Sequence, residues 1–600
     1  MTCRPMWILP LLITAANCLA TPRLTYSVSM PHPSTHLFEI AIHIEGIPKE
    51  DQALDLVLPA WRSGRYVILD FAGGVERFSA VDGDGRALQW EKSDKETWSI
   101  TTAGASTITV SYLLFADEPY LRTRNLNDEQ GFIDATAVFM YVKQFRDLPL
   151  DLIVHPFAGW HVTTSLDPVP GEPDHFVVQG YDLLADSPME LGTQRDYTFS
   201  VNGVPHVLSL AGRTNIDADS MITWMKQIIE IDAAYWGGLP YKRYVFLVRA
   251  LPGGGGGTEH LNSCVLDIRE SPLRTPDAGR EHMGLVSHEF FHTWNVKRLR
   301  PRGMHPYDWT RENYYRELWL AEGGTSYLDN LLLVRGKLSS VTSYLWGLAR
   351  RVEYDRRRPG NAEQSVAASS FDAWIKFNKP AGDSYNFQSD FYERGSAVTL
   401  LLDLELREKT ENRTSLDDLL RLMYKRFPPE SRGYTIDDLE AAAVELGGTS
   451  LKDFFEKYIF GTTALPWEAE MAYAGLSLSP VKGSQHAWLG LDVGEENGVA
   501  TAEDIVAGSP AYEAGISGGD QILAVDGWRV RAEDYASRIA DRAAGDSIRI
   551  ALFHHNELRE TTVHLIEDPV PTYAVHKVDK PTKLQQAIYE SWLGHPWSDQ

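Results

Sequence analysis

Hydrophobic and polar positions change rhythm along this 600-residue chain. From about residue 24 to 215 the period is two. Phe38, Ile40, Ile42 and Ile44 alternate with polar neighbours, and so do Ile108, Val110, Tyr112 and Leu114. Successive side chains of a strand point to opposite faces, so this pattern predicts half-buried strands. Turn-rich pieces such as VDGDGRA separate the runs, which predicts an antiparallel, sandwich-like β domain. After Asp217 the period becomes helical, with Met221, Trp224, Met225, Ile228, Ile231 and Tyr235 on one apolar stripe. A strand-like run, YVFLVRAL, leads into five glycines, 253–257. Helices are then predicted around 281–296, 311–334, 340–356, 390–409, 415–427 and 436–446. Near residue 475 short strands return, in WLGLDV, ATAEDIVAGSPAYEAGISGGDQILAVDG and IRIALFHH, and mark a small β-rich module. The divisions read this way are a leader 1–20, a β-sheet domain 21–215, a mainly helical domain 216–470, a β-rich module 471–566 and a tail 567–600.

Composition narrows the class. Apolar residues at 43% and charged residues at 23% are globular values. Acidic residues outnumber basic ones 82 to 57, and a net charge of −25 argues against nucleic acid or an anionic membrane as partner. The opening MTCRPMWILPLLITAANCLA has a basic start at Arg4, an apolar run from Met6 to Ala16 and a small-x-Ala ending. That layout predicts a signal peptide cleaved after Ala20 and a periplasmic or extracellular destination. The run is short for a membrane span, which needs ~20 apolar residues, and no other stretch looks transmembrane. Asn17 is a poor residue to precede a lipid-modified Cys18. Loss of the leader leaves Cys264 as the lone cysteine, so the mature chain forms no internal disulfide.

The chemistry concentrates in His288-Glu289-Phe290-Phe291-His292. Residues i and i+4 of a helix share a face, so both imidazoles reach one ion. Glu289, beside the first ligand, is placed to work on the attacking water. Leu285, Val286, Phe290, Phe291 and Trp294 make this helix apolar almost all round, and polar groups buried there need strong partners. A catalytic zinc takes three protein ligands and leaves one position open. Glu322 in ELWLAEGGTSYLDN, an acid in an apolar stretch before Gly323-Gly324, is the candidate third ligand. A core helix with two histidines and a paired core glutamate are the alternatives that residues alone leave open.

HEFFHTWNVKRLRP followed by WLAEGGTSYLDN resembles the glycyl aminopeptidase family, PDZ-containing zinc peptidases of the gluzincin group. GGTEHLNS, FDAWIKF, FYERGSAVTLLLDLELR and FGTTALPW carry the resemblance over about 24 to 595. It implies a multidomain α+β chain: an N-terminal antiparallel β domain, a mainly helical thermolysin-like catalytic domain and a C-terminal PDZ domain. It also implies one Zn2+ per chain, held by His288, His292 and Glu322. Twenty-nine residues separate His292 from Glu322, longer than in better-known gluzincin aminopeptidases, and spacing alone does not select Glu322.

The resemblance further implies Glu289 as general base and Tyr392, in Tyr392-Glu393-Arg394-Gly395, as oxyanion donor. A phenol with pKa ~10 stays protonated for that task. Glu259 becomes the carboxylate that holds a substrate's free α-amino group, although a strand-end glutamate is the plainer reading. Gly256 and Gly257 leave bare backbone for the substrate, and His260 is either a cleft residue or a structural one. In the PDZ module, Leu489, Gly490 and Leu491 resemble the loop that receives a peptide C-terminus. The expected activity is removal of small N-terminal residues, Gly or Ala, from peptides with a free N-terminus. A PDZ-assisted endopeptidase and a catalytically silent binding protein are the other readings.

Overall fold

A computed structural model describes residues 21–270, 280–483 and 486–598. The predicted leader, residues 1–20, lies outside the described residues.

The alternating segment forms the predicted β domain. A seven-stranded sheet has Arg23–Ser29 at its centre, flanked by Leu150–His155 and Leu37–Glu45, with Thr107–Phe115 beyond the latter. Phe38, Ile40, Ile42 and Ile44 face inward and are buried, as period two requires. One pairing departs from antiparallel order: Arg23–Ser29 runs parallel to Leu150–His155. Two four-stranded sheets complete the domain.

The last two alternating strands belong elsewhere. Arg195–Val201 and Val204–Gly212 open a five-stranded sheet whose remaining strands are Tyr244–Leu251, Ser263–Arg269 and the edge strand Gly257–Glu259. Val204–Gly212 pairs in parallel with Tyr244–Leu251 across the helix Ala218–Trp236. Alternation shows that a strand exists but not which sheet it joins, so the boundary read at 215 falls inside this βαβ unit. Helices follow much as the periodicity predicts, with one clear difference. The 311–334 prediction reduces to a π turn, Trp319–Gly324, continued by Thr325–Arg335. Upstream, the Asn313 carbonyl accepts from Trp374 Nε1 at 2.9 Å and the Asn313 side chain folds back on Asp308. These bonds take backbone and side-chain groups away from a helix.

The PDZ module is an insertion. Leu476–Pro480 pairs antiparallel with Tyr573–Lys577, and Val481 N–H donates to the Thr572 carbonyl at 2.8 Å. Everything between leaves and re-enters through that hairpin. The residues read as a tail supply the second strand and the helix Lys583–Leu593, whose Ile588, Tyr589, Trp592 and Leu593 are fully buried. Trp592 Nε1 donates to Tyr327 Oη at 2.8 Å, so this helix closes the catalytic domain. Among the described residues no helix is long and apolar enough to cross a membrane.

Candidate active site

The helix Met283–Phe291 lies between the edge strand and Thr325–Arg335, and carries His288 near its end with His292 as its C-cap. Their Nε2 atoms stand 3.1 Å apart. Glu322 Oε2 lies 3.3 Å from His292 Nε2 and 3.7 Å from His288 Nε2. Bonds of ~2.1 Å at tetrahedral angles place ligand atoms ~3.4 Å apart, so the trio fits a zinc ion. The outer nitrogens are already engaged: His288 Nδ1 with Asp329 Oδ2 at 2.9 Å, and His292 Nδ1 with the Asn295 carbonyl at 2.7 Å. Each ring donates from Nδ1 and presents a bare Nε2 to the centre, which is how metal-ligating histidines are oriented. Sequence reading did not find Asp329 or Asn295.

Glu322 reaches this point through the π turn, and close helix packing explains the glycines around it. A Cβ on Gly323 would lie 2.6 Å from the Phe391 carbonyl oxygen, and one on Gly395 would lie 2.7 Å from that of Trp319. The two helices therefore approach backbone to backbone, which brings Tyr392 beside Glu322. Burial pushes the Glu322 carboxyl up, but the His292 and His288 charges outweigh it and hold the pKa well down.

Glu289 is buried against the edge strand. A Cβ on Gly257 would fall 2.4 Å from Glu289 Oε1, so that position is bare to admit the glutamate. The other glycines of the run differ. Gly253 and Gly256 are left-handed, at φ +72° and +84°, Gly254 is pressed on the Ile268 carbonyl, and Gly255 faces open space. Burial raises the Glu289 pKa to about 7 against the pull of both imidazoles. Glu259, also buried, has a carboxylate oxygen within 4.8 Å of Glu289 and His292 donor atoms, and its Oε1 has no hydrogen-bond partner among the described residues.

The N-terminal domain completes the site. Arg62-Ser63-Gly64-Arg65-Tyr66 crosses above it: Arg62 Nη1 donates to Thr258 Oγ1 at 3.1 Å, Gly64 lies against Glu259, and Tyr66 Oη donates to Glu322 Oε1 at 2.5 Å. No motif pointed to this segment, although two arginines and a tyrosine inside LPAWRSGRYVILDF were a signal, because charges in an apolar run are costly unless partnered. The long connection before Glu322 also gains a purpose. Its Tyr307 and Trp309 pack on Trp61 at 5.6 and 4.9 Å, and Trp61 Nε1 donates to the Asp308 carbonyl.

Tyr392 lines the cleft with its ring stacked on Phe377 at 5.3 Å. Burial, then the nearby Glu322, Glu259 and Glu289, hold its phenol pKa far up, so it stays a donor. Gly256 and Gly257 also line this cleft, of about 450 Å³. His260 turns away to Asp186 at 3.1 Å, where Lys297 bonds the same carboxylate at 2.8 Å, which makes it structural. Leu489, Gly490 and Leu491 sit in the PDZ module. The Leu489 and Gly490 carbonyls are taken by Ala511 and Val506 N–H groups, and Gly490, at φ +75°, is pressed on Ser509.

Two histidines and a carboxylate around one point, with a second buried carboxylate beside them, define a metallopeptidase of thermolysin-like construction. Residues 281–398 match the profile of the M61 glycyl aminopeptidase, 25–193 that of the Peptidase M61 N-terminal domain, and 501–552 that of a PDZ domain. The chain therefore carries an M61 N-terminal domain, an M61 glycyl aminopeptidase domain and a PDZ domain, and is a zinc-dependent aminopeptidase. An aminopeptidase N family protein from Idiomarina loihiensis is similar in structure. It is 26% identical, with a TM-score of 0.87 over 94% of this chain and 100% of its own. An M1 zinc metallopeptidase from Deinococcus radiodurans is 13% identical, with a TM-score of 0.45 over 74% of this chain and 94% of its own. No curated protein sequence matches the chain.

Proposed function

We propose that this protein is exported, binds one zinc ion through His288, His292 and Glu322, and removes an N-terminal Gly or Ala from peptides. The observation that carries the reading is Glu259: a buried carboxylate with an unpartnered oxygen, within 4.8 Å of Glu289 and His292 donor atoms. An ammonium group on the substrate satisfies it and fixes the scissile bond one residue away. Zinc supplies Lewis-acid chemistry when bound, polarising the carbonyl and acidifying the attacking water. Glu289 Oε1 takes the water's proton and returns it to the leaving amine, a task suited to a carboxyl with a pKa of about 7. Tyr392 Oη donates to the oxyanion. The aromatic walls of the cleft, Phe377, Tyr66 and Tyr392, support the small-residue preference. The leader pattern of residues 1–20 supports export.

Glycyl and alanyl anilides, compared with their N-acetylated forms, test the reading. Hydrolysis of free-amine substrates alone is expected, and cleavage of the blocked forms alone would overturn it. Glu289→Gln is expected to keep zinc by elemental analysis while turnover falls about a thousandfold.

A further inference from the structure

The cleft carries more positive charge than the reaction described above uses. Arg62, Arg65 and Arg122 all line it, beside Gly256, Gly257 and Glu289. Arg62 is fully buried. Its Nε and Nη1 are bonded to Leu121, Ser63 and Thr258, and its Nη2 has no hydrogen-bond partner among the described residues. The Arg65 side chain makes no hydrogen bond or ion pair among the described residues, and its Nε is shielded from solvent. Arg122 is held in the left-handed region at φ +52°, a strained conformation for a residue with a side chain. It donates to Thr258 Oγ1 at 2.9 Å and the Gly255 carbonyl at 3.1 Å, so its guanidinium is fixed over the bare glycine edge.

The nearby carboxylates have other duties: Asp134 and Glu259 both act on Arg62, but Asp134 caps the helix that starts at Ala135 and Glu259 faces the substrate's amino group. Arg122 touches Asp267 at 3.3 Å, but that aspartate is already gripped by Arg249 at 2.7 and 2.9 Å. Asp329 and Glu322 are occupied by the histidines. Burial, then the neighbouring Arg122, lowers the Arg65 pKa, and the same two causes lower that of Arg62 to about 9 against the pull of Asp134 and Glu259.

We infer that these three arginines receive a carboxylate on the leaving side of the scissile bond, so that the preferred substrates are short peptides whose free C-terminus reaches them. A guanidinium binds a carboxylate with paired, charge-assisted hydrogen bonds, which a main-chain amide cannot offer. A cleft of about 450 Å³ has room for a short peptide. Glu259 and the arginines then hold the two charged ends of one short peptide. This rests on the aminopeptidase reading above.

The test uses the zinc-loaded protein with Gly-Ala, Gly-Ala amide, Gly-Glu amide and acetyl-Gly-Ala. Gly-Ala is expected to exceed Gly-Ala amide at least tenfold in kcat/KM, mainly through KM, the size of a charge-assisted contact. Gly-Glu amide should resemble Gly-Ala amide. If it rises to the Gly-Ala level, the arginine site stands but the free C-terminus is overturned as the source of the carboxylate. Arg65→Gln and, separately, Arg122→Gln should each bring the acid-to-amide ratio close to one. Equal kcat/KM for Gly-Ala and its amide in the unaltered protein, or a ratio untouched by both variants, overturns the inference. Turnover of acetyl-Gly-Ala with no turnover of the three free-amine peptides overturns the aminopeptidase reading instead.

Discussion

The N-terminal β domain and the PDZ module attach to the catalytic domain in opposite ways. The first shares one continuous apolar core with it, from Leu24 through the helices to Leu593. It also places Tyr66 on the Glu322 carboxylate and Trp61 among Tyr307, Trp309 and Trp374. The second has its own core, built around Leu489, Ile522, Ile550 and Leu565. It meets the rest largely through polar links, such as Arg357 to Asp568 at 2.7 and 2.9 Å and Asn386 to the backbone of Ile505 and Ala507. An apolar, shared interface makes a domain part of the active site, whereas a polar, hairpin-tethered one leaves a module separable.

Four measurements can break or sharpen that contrast. The largest effect is expected for Trp61→Ala, which empties a site that is 3% exposed, touches three aromatic rings and sits beside the cleft. A loss of about 3–5 kcal/mol in unfolding free energy is expected, with a fall in activity. A loss below 1 kcal/mol in denaturant titration would show that the N-terminal domain is only loosely attached. Next, Tyr66→Phe removes the hydrogen bond to Glu322 and should weaken zinc retention or kcat by about 10–100-fold. Chelator competition reads this, and an unchanged variant would remove Tyr66 from the site.

The third concerns the seam between catalytic helices and C-terminal helix. Glu470 is 4% exposed, and burial, then Glu405, raises its pKa to about 9. A carboxyl raised in the folded state favours folding fully below its unfolded pKa of ~4.5, and that contribution is lost as pH climbs to about 9. Glu470→Gln should therefore flatten the decline of Tm between pH 5 and 9, by about 2 °C or more. Parallel pH curves for the two proteins would contradict the assignment. The smallest effect is expected from excising 481–572 and joining Pro480 to Tyr573, which are cross-strand partners, through an Asn-Gly turn. kcat/KM on a glycyl anilide should stay within about threefold of the full chain, since a separable module adds little to a shared core. Collapse of activity would show that the PDZ module braces the catalytic domain.

Much of the site was legible because its chemistry is written locally. His288 and His292 are one helical turn apart, and Tyr392 and Glu322 each sit in a short recognisable element. Their glycines were legible as motif letters, but not as the backbone contact between Gly323 and Gly395, which needs two helices in place. Asp329 lay inside a stretch already quoted, yet an aspartate on a helix carries no sign that it bonds a histidine forty-one residues earlier. The residues read as a tail look polar on average, and only packing shows that Trp592 is buried.

What the sequence by itself determined is the set of groups whose spacing obeys one local period: the alternating strands, the amphipathic helices and the two histidines on one helical face. Tertiary structure decided which sheet the strands at 195–212 joined and where the C-terminal helix docked. It also decided that a loop of the N-terminal domain would carry Arg62, Arg65 and Tyr66 over the metal site. The physical reason is that local periodicity encodes which face of an element is apolar. The partner that covers that face is chosen by burial and hydrogen bonding across hundreds of residues, as between Tyr66 and Glu322.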